Sequence, residues 1–413
     1  MNVTGVGQGF GDGFALGNFI QQNYHWRDVL THIQGQHTLK FGYDGEHGTD
    51  LALFAPVYAQ PNFQFNNLLN LVQDKPFTES GLAYDPLTGQ PAKGQYEYAI
   101  STAGLFGADT WKVNNRLTLN YGIRWDDYGN PYPLSGTVLA NFYPGAGLTT
   151  SQTIANGSEI QHNHVFNHSI TNVFSPRIGV AWDPTGHGTW TIHGGFGIYH
   201  NWPTLGNDEN GLKGNPPGWV VPTFFAGGAT VPIFAGGTQN TYPFGFPYPH
   251  LPSTTLDSKG GLANAQLNVG GIDANLTPDT SYIYTVEAQH ALNSNIVVSV
   301  GYSGSNTTNA INGSNAVTAT SYGRDINNFP GNLIEDYNND VPTRLNHSFG
   351  AITYAFNQAK SRYNALIFAA DGKFGKRGYF NASYTYSSSQ DNAGQRSGLR
   401  SQRLIHTTQI RYK

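Results

Sequence analysis

The stretch that most constrains the fold is Ala103–Tyr128, AGLFGADTWKVNNRLTLNYGIRWDDY. It predicts one hairpin, with a strand down to Trp111, a turn over Lys112–Arg116, and a second strand from Leu117 past Trp125. In that second strand Leu117, Leu119, Tyr121, Ile123 and Trp125 share one face, and Thr118, Asn120, Gly122, Arg124 and Asp126 share the other. Strict alternation marks a strand between two different environments. The polar face carries an arginine and an aspartate on a long, proline-free strand. That suits a large membrane barrel, with lipid outside and a wet lumen inside, better than a packed soluble core.

The same unit recurs along the chain. Phe19–Leu30 has Ile20, Tyr24, Trp26 and Leu30 in phase; after a turn over Thr31–His37, Leu39, Phe41 and Tyr43 alternate with Lys40, Gly42, Asp44 and Glu46. A third hairpin turns at Asp183-Pro-Thr-Gly-His-Gly, a fourth at Leu292–Asn295 and a fifth near Phe374–Gly378. His347–Phe356 reads as strand or loop, and Leu404–Tyr412 as one more strand. Between hairpins lie long stretches rich in Pro, Asn, Gln and Gly: Asp50–Gln95, Gly129–Val173, Pro203–Asp279 and Ser305 to about Asn346. Turns of about five residues thus alternate with loops of about thirty to eighty, as in barrels with short periplasmic turns and long extracellular loops. Sandwiches and propellers show no such alternation over five successive hairpins.

Composition agrees. Charged residues are only 12% of the 413, with 51 Gly, 24 Tyr and 24 Phe, which favours strands over helices. No run of about 18 apolar residues exists, so no transmembrane helix is expected, a test that barrel strands escape. A net charge of −4 gives no reason to expect nucleic acid. The absence of cysteine excludes disulfides and thiolate metal sites. The start, MNVTGVGQGFGDGF, has neither a basic nor an apolar signal region, and reads as a sequence lacking its export signal. Trp190 and Trp202 have the same parity twelve residues apart. That is roughly 40 Å along a strand, or roughly 28 Å when tilted, close to an apolar band of about 25 Å. With Trp111 and Trp182 beside short turns and Trp125 near a long loop, they outline two aromatic girdles.

Phe106–Asp127, Phe174–Pro184 (FSPRIGVAWDP), His193–Tyr199 (HGGFGIY) and Tyr363–Ser388 together resemble the barrel of Oar-like TonB-dependent receptors. The family pattern is a strand ending Asp-x-Trp-Lys-Val, a turn, then Arg-Leu-Thr-Leu-Asn-x-Gly-x-Arg and an aromatic. Here it falls on Asp109, Trp111, Lys112, Val113, then Arg116, Leu117, Thr118, Leu119, Asn120, Gly122, Arg124 and Trp125. The resemblance implies an outer-membrane transporter of roughly 22 strands around a plug, energised by a TonB-type inner-membrane complex through an N-terminal region. Residues 1–413 show neither plug nor N-terminal region, and about ten or eleven strands. The expectation is therefore an all-β, antiparallel, up-and-down transmembrane β-barrel, present as an incomplete sheet of about half a barrel. Its first strand, near Phe19–Leu30, and its last, near Tyr379–Ser388 or Leu404–Tyr412, are expected to be free edges.

Residues that carry chemistry are sparse. His162, His164 and His168 lie close in sequence, but no carboxylate adjoins them, and a polar loop is the simpler account than a metal site. Asp126 and Asp127 are adjacent and face opposite ways on a strand, so they are no catalytic pair. No nucleophile motif occurs, and Gly194-Gly195-Phe196-Gly197 lies within a strand, so it is no phosphate cradle. No enzyme activity, cofactor or metal is expected. One loop offers a ligand platform: Trp219, Phe224, Phe225, Tyr242, Phe244, Phe246, Tyr248 and His250, interleaved with Pro and Gly. The alternative is that these rings pack the loop into a lid. The expected function is energised uptake of a bulky nutrient of siderophore, glycan or peptide type; partners are outer-membrane lipid, the TonB-type complex and an extracellular ligand. A passive porin or adhesin barrel is the second reading. A soluble carbohydrate-active β protein is the third; it needs a buried apolar face and paired carboxylates.

Overall fold

Eleven long strands run in sequence order through one antiparallel sheet of the computed structural model. The structure describes residues 2–3, 18–53, 60–73, 75–92, 94–202, 212, 214–220, 224–225, 231–232, 239–240, 253–263, 267–312, 324–328, 344–374, 378–391 and 400–406. The strands are β1 (Asn18–Gln34), β2 (His37–Leu53), β3 (Gln95–Asn114), β4 (Leu117–Asp127), β5 (Val173–Trp182), β6 (Trp190–Asn201), β7 (Asp279–Asn293), β8 (Ile296–Asn312), β9 (Ile352–Phe374), β10 (Gly378–Asp391) and β11 (Arg400–His406). Each pairs with the next. β1 and β11 do not meet, so the sheet is open and its edges are the first and last strands, as expected.

The short turns are tighter than their sequence suggests. β1 and β2 pair down to Gln34 and His37, so only Gly35 and Gln36 turn. Gly35 has φ +59°, a conformation costly for other residues. Elsewhere an Asx side chain replaces missing backbone partners. Asn114 Oδ1 accepts from Arg116 N, Asn293 Oδ1 from Asn295 N and Ile296 N, and the Asp183 carboxylate from the N–H groups of Thr185, Gly186 and Gly188.

Register separates two faces. One cross-strand row reads His37, Trp111, Leu119, Val180, Gly194, Val286, Tyr302, Leu366, Tyr386. The next reads Thr38, Thr110, Asn120, Gly179, Gly195, Thr285, Ser303, Ala365, Ser387. The first face is apolar yet exposed: Leu30 is 66% exposed, Phe41 51% and Ile123 53%. A continuous apolar band of this size across a sheet is a lipid-facing surface. The second is small and polar, as a wet lumen requires. The first row begins at the turn end of β2 and finishes mid-strand in β10. That stagger is the shear that tilted barrel strands need.

The buried core lies beyond the sheet, at the long-loop end. Ala52, Tyr96 and Tyr98, from the outer ends of β2 and β3, pack with Leu139, Val165, Phe166, Leu212, Ile272 and Leu276. A neighbouring cluster joins Phe142, Ile154, Val269, Phe349, Ile352 and Tyr354. The stretches read as irregular loops therefore fold into a cap. Within it are a helix at Thr150–Ala155 closed by a capping box, an antiparallel pair of Ala140–Tyr143 with Ser158–Gln161, and a parallel pair of Val269–Ile272 with β9. Four buried asparagines hold it together by imitating backbone. Asn141 accepts from Ile272 N and donates to Ile272 O. Asn215 does the same with Gly270 and donates to Ala140 O as well. Asn327 joins Asn346, Phe349 and Gly350, while Asn346 reaches Ile154 O and Gly157 O.

Trp202 departs from the expected outer girdle. Its ring packs edge-on to Phe166 at 5.0 Å and stacks on Tyr128 at 6.1 Å, against the cap core rather than lipid. The chain leaves β6 at Asn201, so strand parity no longer applies one residue later. Trp125 stays on the exposed face, its Nε1 donating to Thr171 O at 2.6 Å.

Candidate functional site: the lumen wall

On the polar face the sheet holds a shallow groove of about 580 Å³. Its floor is small: Ala108, Gly122, Gly179, Gly195 and Gly197 come from β3 to β6. Its walls include Arg27, Phe106, Arg124, Arg177 and Tyr199. The small floor comes from alternation that puts Gly104, Ala108, Gly122, Gly195 and Gly197 on the lumen side, between the larger Phe106, Arg124 and Tyr199.

Arg124 is the fixed charge of this wall. Its Nη1 and Nη2 donate to the two Asp44 oxygens at 2.7 and 2.8 Å, and its Nε to Asp126 Oδ1 at 2.7 Å. Asp44 lies on β2, two strands away, so the guanidinium has to cross β3. It does so over Gly104, where an added Cβ would lie 2.1 Å from Nη2. A bidentate pair with a third bond is the strong form of a carboxylate contact. Half-burial and a polar lumen keep its net stabilisation modest. Both carboxylates are occupied by one arginine, so neither is available as an acid or base. Arg177 differs: it stacks on the Tyr199 ring at 4.5 Å, and no carboxylate reaches it among the described residues. Arg27 lies over Phe106 at 5.5 Å. The wall therefore presents cationic, ring-supported groups above a floor of small residues.

The aromatic loop is only partly in view. Trp219 packs against the Tyr96–Tyr98 cluster of the cap. Phe224–Phe225 form a short strand paired with Thr78–Glu79. Tyr242, Phe244, Phe246, Tyr248 and His250 lie outside the described residues. Two of the three histidines pack on different rings, His162 on Tyr143 at 4.9 Å and His164 on Tyr132 at 6.1 Å. Among the described residues no group of three potential metal ligands forms.

Two features escaped sequence reasoning. Asp109 lies on the lipid-facing side, where it accepts from Tyr121 Oη at 2.8 Å and pairs with His37 Nδ1 at 2.6 Å. Its parity with Trp111 was the available signal. Glu159, in the cap, is 6% exposed, and neither carboxylate oxygen has a hydrogen-bond partner among the described residues. Burial, with Asp257 nearby, pushes its carboxyl well above the usual carboxylate range.

Open antiparallel sheet, lipid-facing band and polar lumen wall together define an outer-membrane β-barrel. Residues 1–412 match the family described as "Outer membrane beta barrel domain", and the chain belongs to it. Among solved structures it is similar to the copper transporter OprC, at 12% identity and TM-score 0.46, over 92% of this chain and 41% of that one. It is also similar to the outer membrane transporter YddB from Escherichia coli, at 13% identity and TM-score 0.48, over 91% of this chain and 34% of that one. A third is the ferripyoverdine receptor of Pseudomonas aeruginosa, at 12% identity and TM-score 0.42, over 92% and 34%. The chain spans roughly a third to two-fifths of the length of these structures. No curated protein matches it.

Proposed function

We propose that residues 1–413 are a sector of the barrel of a TonB-dependent receptor, which takes up a bulky nutrient of siderophore, glycan or peptide type. The observation that carries this reading is the open sheet. Eleven consecutive strands leave β1 and β11 apart, and closing them on each other would crowd Arg124, Arg177 and Lys40 into a narrow lumen. A barrel of roughly 22 strands gives these charges room for water and for a plug. In this reading a plug and a TonB-contacting region come from sequence outside these residues. The Asp109-to-Trp125 pattern, which resembles Oar-like receptors, supports the same assignment. The short turns are the periplasmic rim and the cap is extracellular. In this reading Phe244, Tyr248 and the neighbouring rings, which lie outside the described residues, contact the ligand.

A planar-bilayer measurement on the full-length protein separates this from a passive pore. The receptor reading expects a silent membrane, because a plug blocks the lumen, with conductance appearing only when urea displaces the plug. Steady conductance without denaturant would refute it in favour of the porin reading.

A further inference from the structure

Two histidines occupy matched places on the lipid-facing side, near the short turns. His37 opens β2, and its ring stacks on Trp111 at 5.3 Å and 15°. His290 lies three residues before the Asn293 turn, and its ring stacks on Trp190 at 4.2 Å and 23°. Each ring is fixed by the same nitrogen: His37 Nδ1 lies 2.6 Å from Asp109 Oδ2, and His290 Nδ1 lies 3.1 Å from Thr189 O. A carbonyl and a carboxylate only accept, so Nδ1 carries the proton in both. Nε2 is then the free nitrogen of each ring, without a partner among the described residues. Both rings sit at the tryptophan girdle, the level of lipid headgroups.

We propose that His37 and His290 bind the headgroup phosphate of phospholipids in the leaflet that meets the short turns. The proposal rests on the rim assignment given above. In the neutral ring Nε2 only accepts; on taking a second proton from solvent, Nε2–H becomes a charge-assisted donor to a phosphate oxygen, and the stacked tryptophan fixes the plane of the ring. The groups facing His37 are Asp109 and Tyr121 from β3 and β4, and His32 from β1, diagonal to it across Leu39. Asp109 offsets part of the charge there. Around His290 the facing residues are Trp190, Thr189 and Val298, none ionisable, so His290 is the stronger contact. Toward mid-membrane the same side has a mainly apolar furrow at Gly107, lined by Phe41, Leu105 and Ile123, with Asp28 at its β1 side. It would take an acyl chain from a headgroup at His37.

The test is native mass spectrometry of the full-length protein with three probes: phosphatidylglycerol, diacylglycerol with the same tails, and lipid A. Phenylalanine keeps each ring stack and removes its nitrogens. His290→Phe is expected to weaken phosphatidylglycerol binding about tenfold, as loss of one charge-assisted bond implies. His37→Phe should weaken it less, diacylglycerol should bind weakly to every variant, and lipid A binding should not change. His290→Phe strands no carboxylate, so it remains informative if His37→Phe folds poorly. Unchanged phosphatidylglycerol binding in both variants would overturn the phosphate contact. Loss of lipid A binding instead would overturn the rim assignment on which the proposal depends.

Discussion

Ile123→Arg is the substitution on which the two faces disagree most. Ile123 lies six residues into β4, opposite Gly107 and Pro176. Six residues are roughly 20 Å of strand. Tilted by about 45°, that is roughly 14 Å of depth, near the centre of an apolar band of about 25 Å. An arginine there should cost about 2–4 kcal/mol. Asn120→Arg, three residues away on the lumen wall, places the same charge in water. It loses only the bond in which Thr110 Oγ1 donates to Asn120 Oδ1, about 1 kcal/mol. Reversible urea unfolding in lipid vesicles reads the difference. With a slope of about 2 kcal/mol per molar urea, Ile123→Arg should lower the midpoint by about 1–2 M and Asn120→Arg by about 0.5 M. Equal shifts would show that both faces meet the same medium, and the barrel reading would fail.

Two further outcomes follow from the rims and the cap. In whole cells expressing the full-length protein, Asn114→Cys should be shielded from a membrane-impermeant thiol reagent, while Leu148→Cys, 99% exposed in the cap, should react; the opposite pattern would invert the topology. The buried Glu159 carboxyl titrates above its unfolded value, so the stability it contributes is complete below about pH 4.5 and is lost as pH rises through the folded value. Glu159→Gln, which carries no charge at any pH, should therefore raise the cap's melting temperature relative to wild type at pH 8 and not at pH 4, as followed by limited proteolysis on heating. An equal change at both pH values would show that Glu159 is not buried as a titrating acid.

What the sequence made legible was whatever repeats with period two. Leu117 to Asp126 announces its faces without help from any other strand, and its neighbours reproduce that pattern in register. Pairings between strands were not legible. Arg124 and Asp44 are 80 residues apart, and only the register of β2 on β3 on β4 shows that one side chain reaches across Gly104 to the other. The cap was misread for a different reason. Asn, Pro and Gly signal irregular chain when their partners are local, but Asn141 and Ile272 are 131 residues apart. Trp202 was misplaced because strand parity was carried one residue past the end of β6. Of the rings in the aromatic loop, Trp219 packs on the cap core, and those from Tyr242 to His250 lie outside the described residues.

The four buried asparagines limit how the cap of this barrel can diversify. Surface loops ordinarily accept insertions and substitutions freely. Here Asn141, Asn215 and Asn327 each bind the backbone of another segment with both the oxygen and the nitrogen of the amide, and Asn346 does so with its nitrogen while its oxygen accepts from Ser348 N. Aspartate has the same shape but cannot donate, so one-base changes and spontaneous deamidation alike would leave buried carbonyls unpaired. Variation among relatives should avoid these positions and the stretches they join. It should collect in exposed turns such as Gly147–Leu148, where the Leu148 N–H donates only to the nearby Gln152 side chain.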